Sequence, residues 1–195
     1  MNNYEILSKV RTFAYNNSEK NDIHGFKHVE RVLKLSSEIG QVLNANSFVI
    51  KIAALLHDVG RSLIKEDEVK NHAEISAEIA ENFIIKNNFN IVIEDVENIL
   101  HCIRVHSFSN DMIPKTLEAK ILSDADKLDA LGAIGLYRTI GFTMLRNGGL
   151  VDVIEHLESK ILKLKNRLFL DISKDIAFTR EKIIIDFYNK IKEQQ

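Results

Sequence analysis

Little in this chain could staple, kink or interrupt it: 195 residues include one cysteine, one proline, eight glycines and no tryptophan. With Cys102 alone an intrachain disulfide is excluded, so burial and hydrogen bonding must hold the fold. No Gly/Ser-rich run marks a linker, no segment repeats, and period-two alternation of apolar residues is scarce, which excludes a sheet protein and predicts an all-α fold. No apolar run reaches the roughly 18 residues of a membrane span, and residues 1–13 lack the apolar core of a signal peptide, so a cytoplasmic protein with no membrane partner is expected. Positive charge is not in excess either. Charged residues make up 28% and the net charge is −2, so no overall basic field draws nucleic acid. Apolar residues are abundant, 45% of the chain, enough for a large core in one domain.

The apolar spacing predicts about eight helices, near residues 4–17, 25–44, 47–59, 71–87, 92–106, 115–131, 148–165 and 175–193. The third, containing Phe48-Val-Ile-Lys-Ile-Ala-Ala-Leu-Leu56, is apolar nearly all round and should be central, with Gly60 as its stop. Residues 107–114 read as a loop and 146–149 as a flexible one. A single domain over 1–195 is expected, with a core near 22–140 and C-terminal helices near 148–193 packed on it.

His57-Asp58 breaks the local rule, because two ionisable groups end an otherwise apolar helix. Burying such a pair is costly unless it is coordinated or hydrogen-bonded; solvation on an exposed last turn is the bland alternative. His28 shares the inward stripe of the second helix with Val32, Leu35 and Ile39, where a core histidine bonded to a carbonyl competes with a ligand. His24 lies one turn earlier, on the flank. A third cluster, Ser123-Asp-Ala-Asp-Lys-Leu-Asp129, sits inside a helix whose spacing runs unbroken from Leu117 to Leu128, against a capping box at Ser123. The helical wheel mildly favours Asp124 over Asp126 as the inward carboxylate and does not decide between them. Two imidazoles and two carboxylates make a mixed nitrogen and oxygen set that suits Mn, Fe, Co, Ni or Zn. An ion so held turns water into a nucleophile and polarises a phosphoryl oxygen.

Other polar residues support this set. Arg61 is placed to hold a phosphate by its planar fork, with an exposed surface arginine as the alternative. His106 lies on the stripe of the fifth helix and His101 on its flank, as phosphate contacts, second-metal ligands or core polar groups; His72 opens the fourth helix. Lys127 adjoins the aspartate cluster, and His156 and Lys160 share one helix face. Cys102 has no environment that would activate a thiol.

In this order the residues resemble the HD superfamily of metal-dependent phosphohydrolases, whose signature is H…HD…D. The resemblance is to the small stand-alone hydrolases of the YpgQ/YedJ type in particular. It is carried by His24-Gly-Phe-Lys-His-Val-Glu-Arg-Val32, Ala53-Ala-Leu-Leu-His-Asp-Val59, His106-Ser-Phe-Ser109, the block from Glu118 to Arg138, and His156-Leu-Glu-Ser-Lys-Ile-Leu-Lys-Leu164. It implies an HD-domain helical bundle with His28, His57, Asp58 and Asp126 as metal ligands. The family's Ala-Asp-basic-Leu register picks Asp126 over Asp124. With the positions above, Asp58 and Arg61 are expected to be the catalytic residues, with His24, His101, His106, Lys127 and Asp129 in substrate-binding or supporting roles.

The implied cofactor is one divalent transition metal, Mn first, with Fe, Co, Ni, Zn or Mg as alternatives and a second metal left open. The implied substrate is a small phosphorylated molecule, a nucleotide, with cleavage of a triphosphate to monophosphate and pyrophosphate as the finer expectation; a homodimer is left open. The pair His57-Asp58 is followed by Val59-Gly-Arg-Ser62 with no acidic residue, unlike some HD nucleotidases and guanosine tetraphosphate hydrolases. The Gly-Tyr-Pro extension of cyclic dinucleotide phosphodiesterases is also absent. Two rival readings share the fold: a di-iron oxygenase using His72, His101 or His106, and a nucleotide-binding regulator with little turnover.

Overall fold

Helix formers fill the chain, and the computed structural model, which describes residues 1–63, 71–108 and 112–194, contains no β-strand among them. The α-helices are α1 (Asn3–Asn17), α2 (Phe26–Val42), α3 (Ser47–Leu56), α4 (His72–Lys86), α5 (Ile93–Val105), α6 (Leu117–Asp129), α7 (Gly132–Leu145), α8 (Leu150–Ser159) and α9 (Asp171–Gln194). Two 3-10 turns, Arg61–Leu63 and Ile161–Arg167, join them. The chain divides into two compact units, Met1–Ser123 and Asp124–Gln195. Of the loop expected over 107–114, residues 109–111 lie outside the described residues; Ser109 of the His106 motif is one of them.

The first unit is built around α3, which packs against α1, α2, α4 and α5. Val49, Ile50 and every residue from Ile52 to Leu56 are buried, as a helix apolar on all sides requires. Each large side chain there contributes about 2 kcal/mol by leaving water. Asn46 caps α3 and ties it to its neighbours. Its Oδ1 accepts from the N–H groups of Phe48 and Val49, its own N–H donates to Glu118, and its Nδ2 donates to Asp95. Both α1 and α2 turn one stripe inward, Ile6, Val10 and Ala14 from the first, Val29, Val32, Leu35 and Ile39 from the second.

The helix expected over 47–59 ends earlier, at Leu56, and His57 to Gly60 form a turn. Gly60 does not stop the helix through a left-handed conformation, since Gly132 is the positive-φ glycine among the described residues. Its role is close approach. A Cβ at Gly60 would lie 2.7 Å from the backbone nitrogen of Ser76 on α4, and the Gly60 N–H donates to the Ser76 hydroxyl at 3.0 Å. This packs the first turns of α4 onto the His57-Asp58 turn.

In the second unit α7 is a ninth α-helix, lying where none was expected. Gly132, Gly135 and Gly141 lower helix propensity by about 1 kcal/mol each, which masks the pattern. Gly135 is required because a Cβ there would meet the backbone of Ala130 at 2.2 Å, where the chain turns from the end of α6. A buried ion pair, Arg138 Nη1 to Asp129 Oδ2 at 2.7 Å, and a bond from Arg180 to the Leu128 carbonyl at 2.7 Å fix that turn. The helix expected over 148–165 is α8 followed by a 3-10 turn, broken at Lys160, whose φ and ψ are −129° and −62°. Residues 146–149 form the short connection before α8, where the Gly149 N–H donates to Asp152 at 2.7 Å.

Gly60→Ala is expected to cost about 1–3 kcal/mol by overpacking against α4. Urea unfolding measures this; unchanged stability would contradict the close approach.

Candidate metal centre

Two histidines are placed by the same device. His57 follows the last residue of α3 and donates from Nδ1 to the Ala54 carbonyl at 2.8 Å; His106 follows the last residue of α5 and donates from Nδ1 to the Ile103 carbonyl at 2.6 Å. The last carbonyls of a helix lack intrahelical partners, so each ring satisfies one of them. A carbonyl only accepts, so each Nδ1 carries the proton and each Nε2 presents a lone pair. Both rings are fully buried, with centroids 4.9 Å apart.

Asp58 lies between them, 5% exposed. Its Oδ2 is 3.7 Å from His28 Nε2 and 3.8 Å from His57 Nε2, and those two nitrogens are 3.3 Å apart. Its Oδ1 is 3.6 Å from His72 Nε2 and 3.7 Å from His106 Nε2. Two triads result, His28–His57–Asp58 and Asp58–His72–His106, each with its ligand atoms within 4.8 Å of one another. Arg61, one turn after Asp58, donates from Nε to Asp58 Oδ2 at 2.8 Å and from Nη2 to His72 Nε2 at 3.2 Å. Burial opposes the charge on Asp58, yet the Arg61 guanidinium beside it holds its carboxyl well below the usual range. It is therefore a carboxylate at neutral pH.

The set fits a divalent cation on two grounds. Asp58 Oδ1 and His106 Nε2 are buried with no hydrogen-bond partner, and both are acceptors, facing each other at 3.7 Å. Two lone pairs so placed repel unless a cation lies near both. The donors are imidazole nitrogens and a carboxylate, the mixed set that transition metals favour.

The other expected residues divide sharply. His28, 1% exposed on the first turn of α2, joins the cluster as expected. His24 precedes α2 rather than lying on it. It is held in the turn where Asn21 Oδ1 accepts its N–H, and its ring stands edge-on to His28 at 6.3 Å. His101 is outside both triads; its Nε2 accepts the Lys115 N–H at 3.0 Å, tying down the segment that leads into α6. Cys102 is inert, its thiol pushed up to about 12 by burial and Glu118. His72 was weakly signalled by sequence, yet it enters a triad. The readable clues were the Asn71 cap before it and the glycine at 60.

The aspartates of α6 have separate tasks. Asp124 is fully buried and accepts the N–H groups of Phe169 and Leu170 at 3.0 and 2.9 Å, which starts α9 at Asp171 rather than near 175. Asp129 is paired with Arg138. Asp126 is partly buried, in the second unit. Lys127 is buried with its ammonium 5.5 Å from the Phe169 ring centre. Burial pushes its pKa down against the pull of Asp126 and Asp124. His156 lines a separate cavity of about 310 Å³ with Phe142, Arg146 and Glu155.

The HD domain family model matches residues 25–131, more than half of the chain. The YpgQ protein of Bacillus subtilis is 26% identical over 99% of this chain and 95% of its own length. Its crystal structure in complex with ADP aligns over 100% of this chain and 97% of that one, with a TM-score of 0.80 and 25% identity. An HD-superfamily hydrolase from Bacillus thuringiensis aligns over 99% and 98%, with a TM-score of 0.73 and 26% identity. Ribonuclease Y of Thermoanaerobacter pseudethanolicus is 32% identical over 53% of this chain, which spans only 18% of that protein.

Two outcomes follow from this geometry. Asp124→Ala is expected to lose about 1–3 kcal/mol of stability in thermal unfolding, since it strands two backbone donors. Manganese at about a hundred times its dissociation constant is expected to raise unfolding stability by about 2.7 kcal/mol. That gain should vanish in Asp58→Asn; a gain that survives would place the ion elsewhere.

Proposed function

The chain belongs to the HD domain family of metal-dependent hydrolases, and from that premise we propose that it is a phosphohydrolase acting on nucleotides. One observation carries the reading: a buried carboxylate, Asp58, shared by His57 and His106, whose Nε2 lone pairs face it. By the family resemblance Asp126 joins His28, His57 and Asp58 as the fourth ligand, and 1–195 acts as one functional domain. Manganese is the favoured ion, with Fe, Co, Ni, Zn and Mg as alternatives. Support for a nucleotide comes from YpgQ, crystallised with ADP.

A divalent ion at this centre supplies Lewis acidity, lowering the pKa of water and polarising a phosphoryl oxygen. The residues do the rest. The backbone bonds of His57 and His106 make both Nε2 atoms acceptors in the neutral rings. His106 Nε2 accepts a hydrogen bond from the attacking water and orients it. Arg61 brings positive charge beside Asp58, offsetting charge that builds on the phosphoryl oxygens. Hydrolysis of a triphosphate at the α-phosphorus would break the α–β bridging bond, leave the water oxygen on the monophosphate and release pyrophosphate.

A second reading has its own support. His72 and His106 close a second triad on Asp58, as a di-iron oxygenase would need. His101, the third histidine that reading could use, lies outside both triads.

Metal-stripped protein re-supplied with Mn, Co, Ni, Mg or Zn, and assayed on a nucleotide panel for phosphate and pyrophosphate, tests the proposal. Turnover is expected only with added metal, and is lost in Asp58→Ala and Asp126→Ala. Metal-loaded protein that turns over no nucleotide but consumes dioxygen when loaded with iron would favour the oxygenase. Tight nucleotide binding without turnover would favour the regulator.

A further inference from the structure

A cavity of about 480 Å³ lies in the first unit, where α1 and α2 pack on α3, and its lining shares no residue with either triad. Sites for small molecules measure roughly 300–1,000 Å³ and are mostly apolar with a few placed polar groups. This one has that make-up. Leu55, 3% exposed, and the half-buried Leu7 and Leu33 bring one apolar side chain from each of the three helices. Tyr4, 82% exposed, stands at the rim.

Charge in the cavity is unbalanced. Arg11, Lys34 and Lys51 line it against one carboxylate, Glu30. Arg11 takes that carboxylate, and its guanidinium lies 5.3 Å from the Phe26 ring centre. Lys34 reaches Glu38 at 3.9 Å with both side chains exposed, a pair that water screens. Lys51 differs from both. It is the one charged residue of α3, half-buried, one turn before Leu55 on the same face. Its ammonium makes no hydrogen bond or ion pair among the described residues. Three donors with no acceptor opposite, beside leucines, suit an anion that carries an apolar body.

We propose that this cavity binds a small anionic amphiphile, a free fatty carboxylate by chemical class: its chain lies over Leu7, Leu33 and Leu55, and its carboxylate accepts from Lys51. A compact anion such as phosphate would leave the leucines in water, and a neutral apolar molecule would leave Lys51 unpaired. The amphiphile meets both needs. The site stands apart from the metal centre, so it does not rest on the phosphohydrolase reading.

Isothermal titration calorimetry of the full chain with sodium dodecanoate, kept below its micellar concentration, tests it. Saturable one-to-one binding is expected, weakening about two- to fourfold for each methylene removed through decanoate and octanoate. Lys51→Met is expected to weaken dodecanoate binding about tenfold or more and to leave the binding of neutral decanol unchanged. Leu33→Asp, which sets a carboxylate among the leucines, is expected to abolish dodecanoate binding. Circular dichroism checks that each variant is folded, and Lys51→Gln replaces Lys51→Met if that variant is not. Uptake that does not saturate, or unchanged affinity in a folded neutral variant at position 51, would overturn the inference. So would decanol binding to the wild type as tightly as decanoate. Binding to phosphatidylglycerol vesicles without binding of monomeric dodecanoate would assign the face to a membrane surface and overturn it. A dimer in sedimentation equilibrium that Leu33→Asp dissociates, again without dodecanoate binding, would assign it to a second copy of the chain. None of these outcomes alters the reading of the metal centre.

Discussion

Two backbone carbonyls at helix ends set the chemistry of this protein. Ala54 and Ile103 each accept the Nδ1 proton of a histidine three residues on, and so dictate which nitrogen of His57 and His106 faces the carboxylate of Asp58. The constraint is strict, since a carbonyl cannot donate and the rings are too buried to exchange it for water. A helix end that would otherwise carry unsatisfied acceptors thus becomes the support for a ligand. The two sites of support are alike, although α3 and α5 differ in sequence.

The apolar character of α3 has a matching role. A helix whose last five residues, Ile52 to Leu56, are all buried fixes its own end to within the tolerance of a packed core, so the turn that follows it is held firmly. Gly60 then admits α4, and the pair Gly60–Ser76 locks that contact with a hydrogen bond. His72 and Arg61 meet because of this one missing side chain.

Much of this was legible in the sequence, and the gaps have physical causes. The all-helical class, the central place of α3 and the inward His28 follow from periodicity, which reports burial directly. The pair His57-Asp58 stood out because it contradicts its apolar surroundings. The helix α7 was hidden by glycines that packing demands and propensity penalises. The choice among Asp124, Asp126 and Asp129 could not be made from a wheel, because Asp124 and Asp129 are themselves buried, with partners outside their own helix. Phe169, Leu170 and Arg138 take up their charge, and no local pattern announces such pairings. His72 was undervalued for a similar reason: its position depends on an approach between helices that only the need for a glycine at 60 betrays.

The support of His57 and His106 by main-chain oxygen has a bearing on how such a centre persists through evolution. A carboxylate or amide that orients a ligand can be lost by a single codon change; a peptide carbonyl is present whatever residue occupies the position. Residues 54 and 103 can therefore vary with packing alone while the orientation of the imidazoles is inherited from the helix itself. A fold that supports its ligands this way can diverge widely in sequence without redesigning its chemistry.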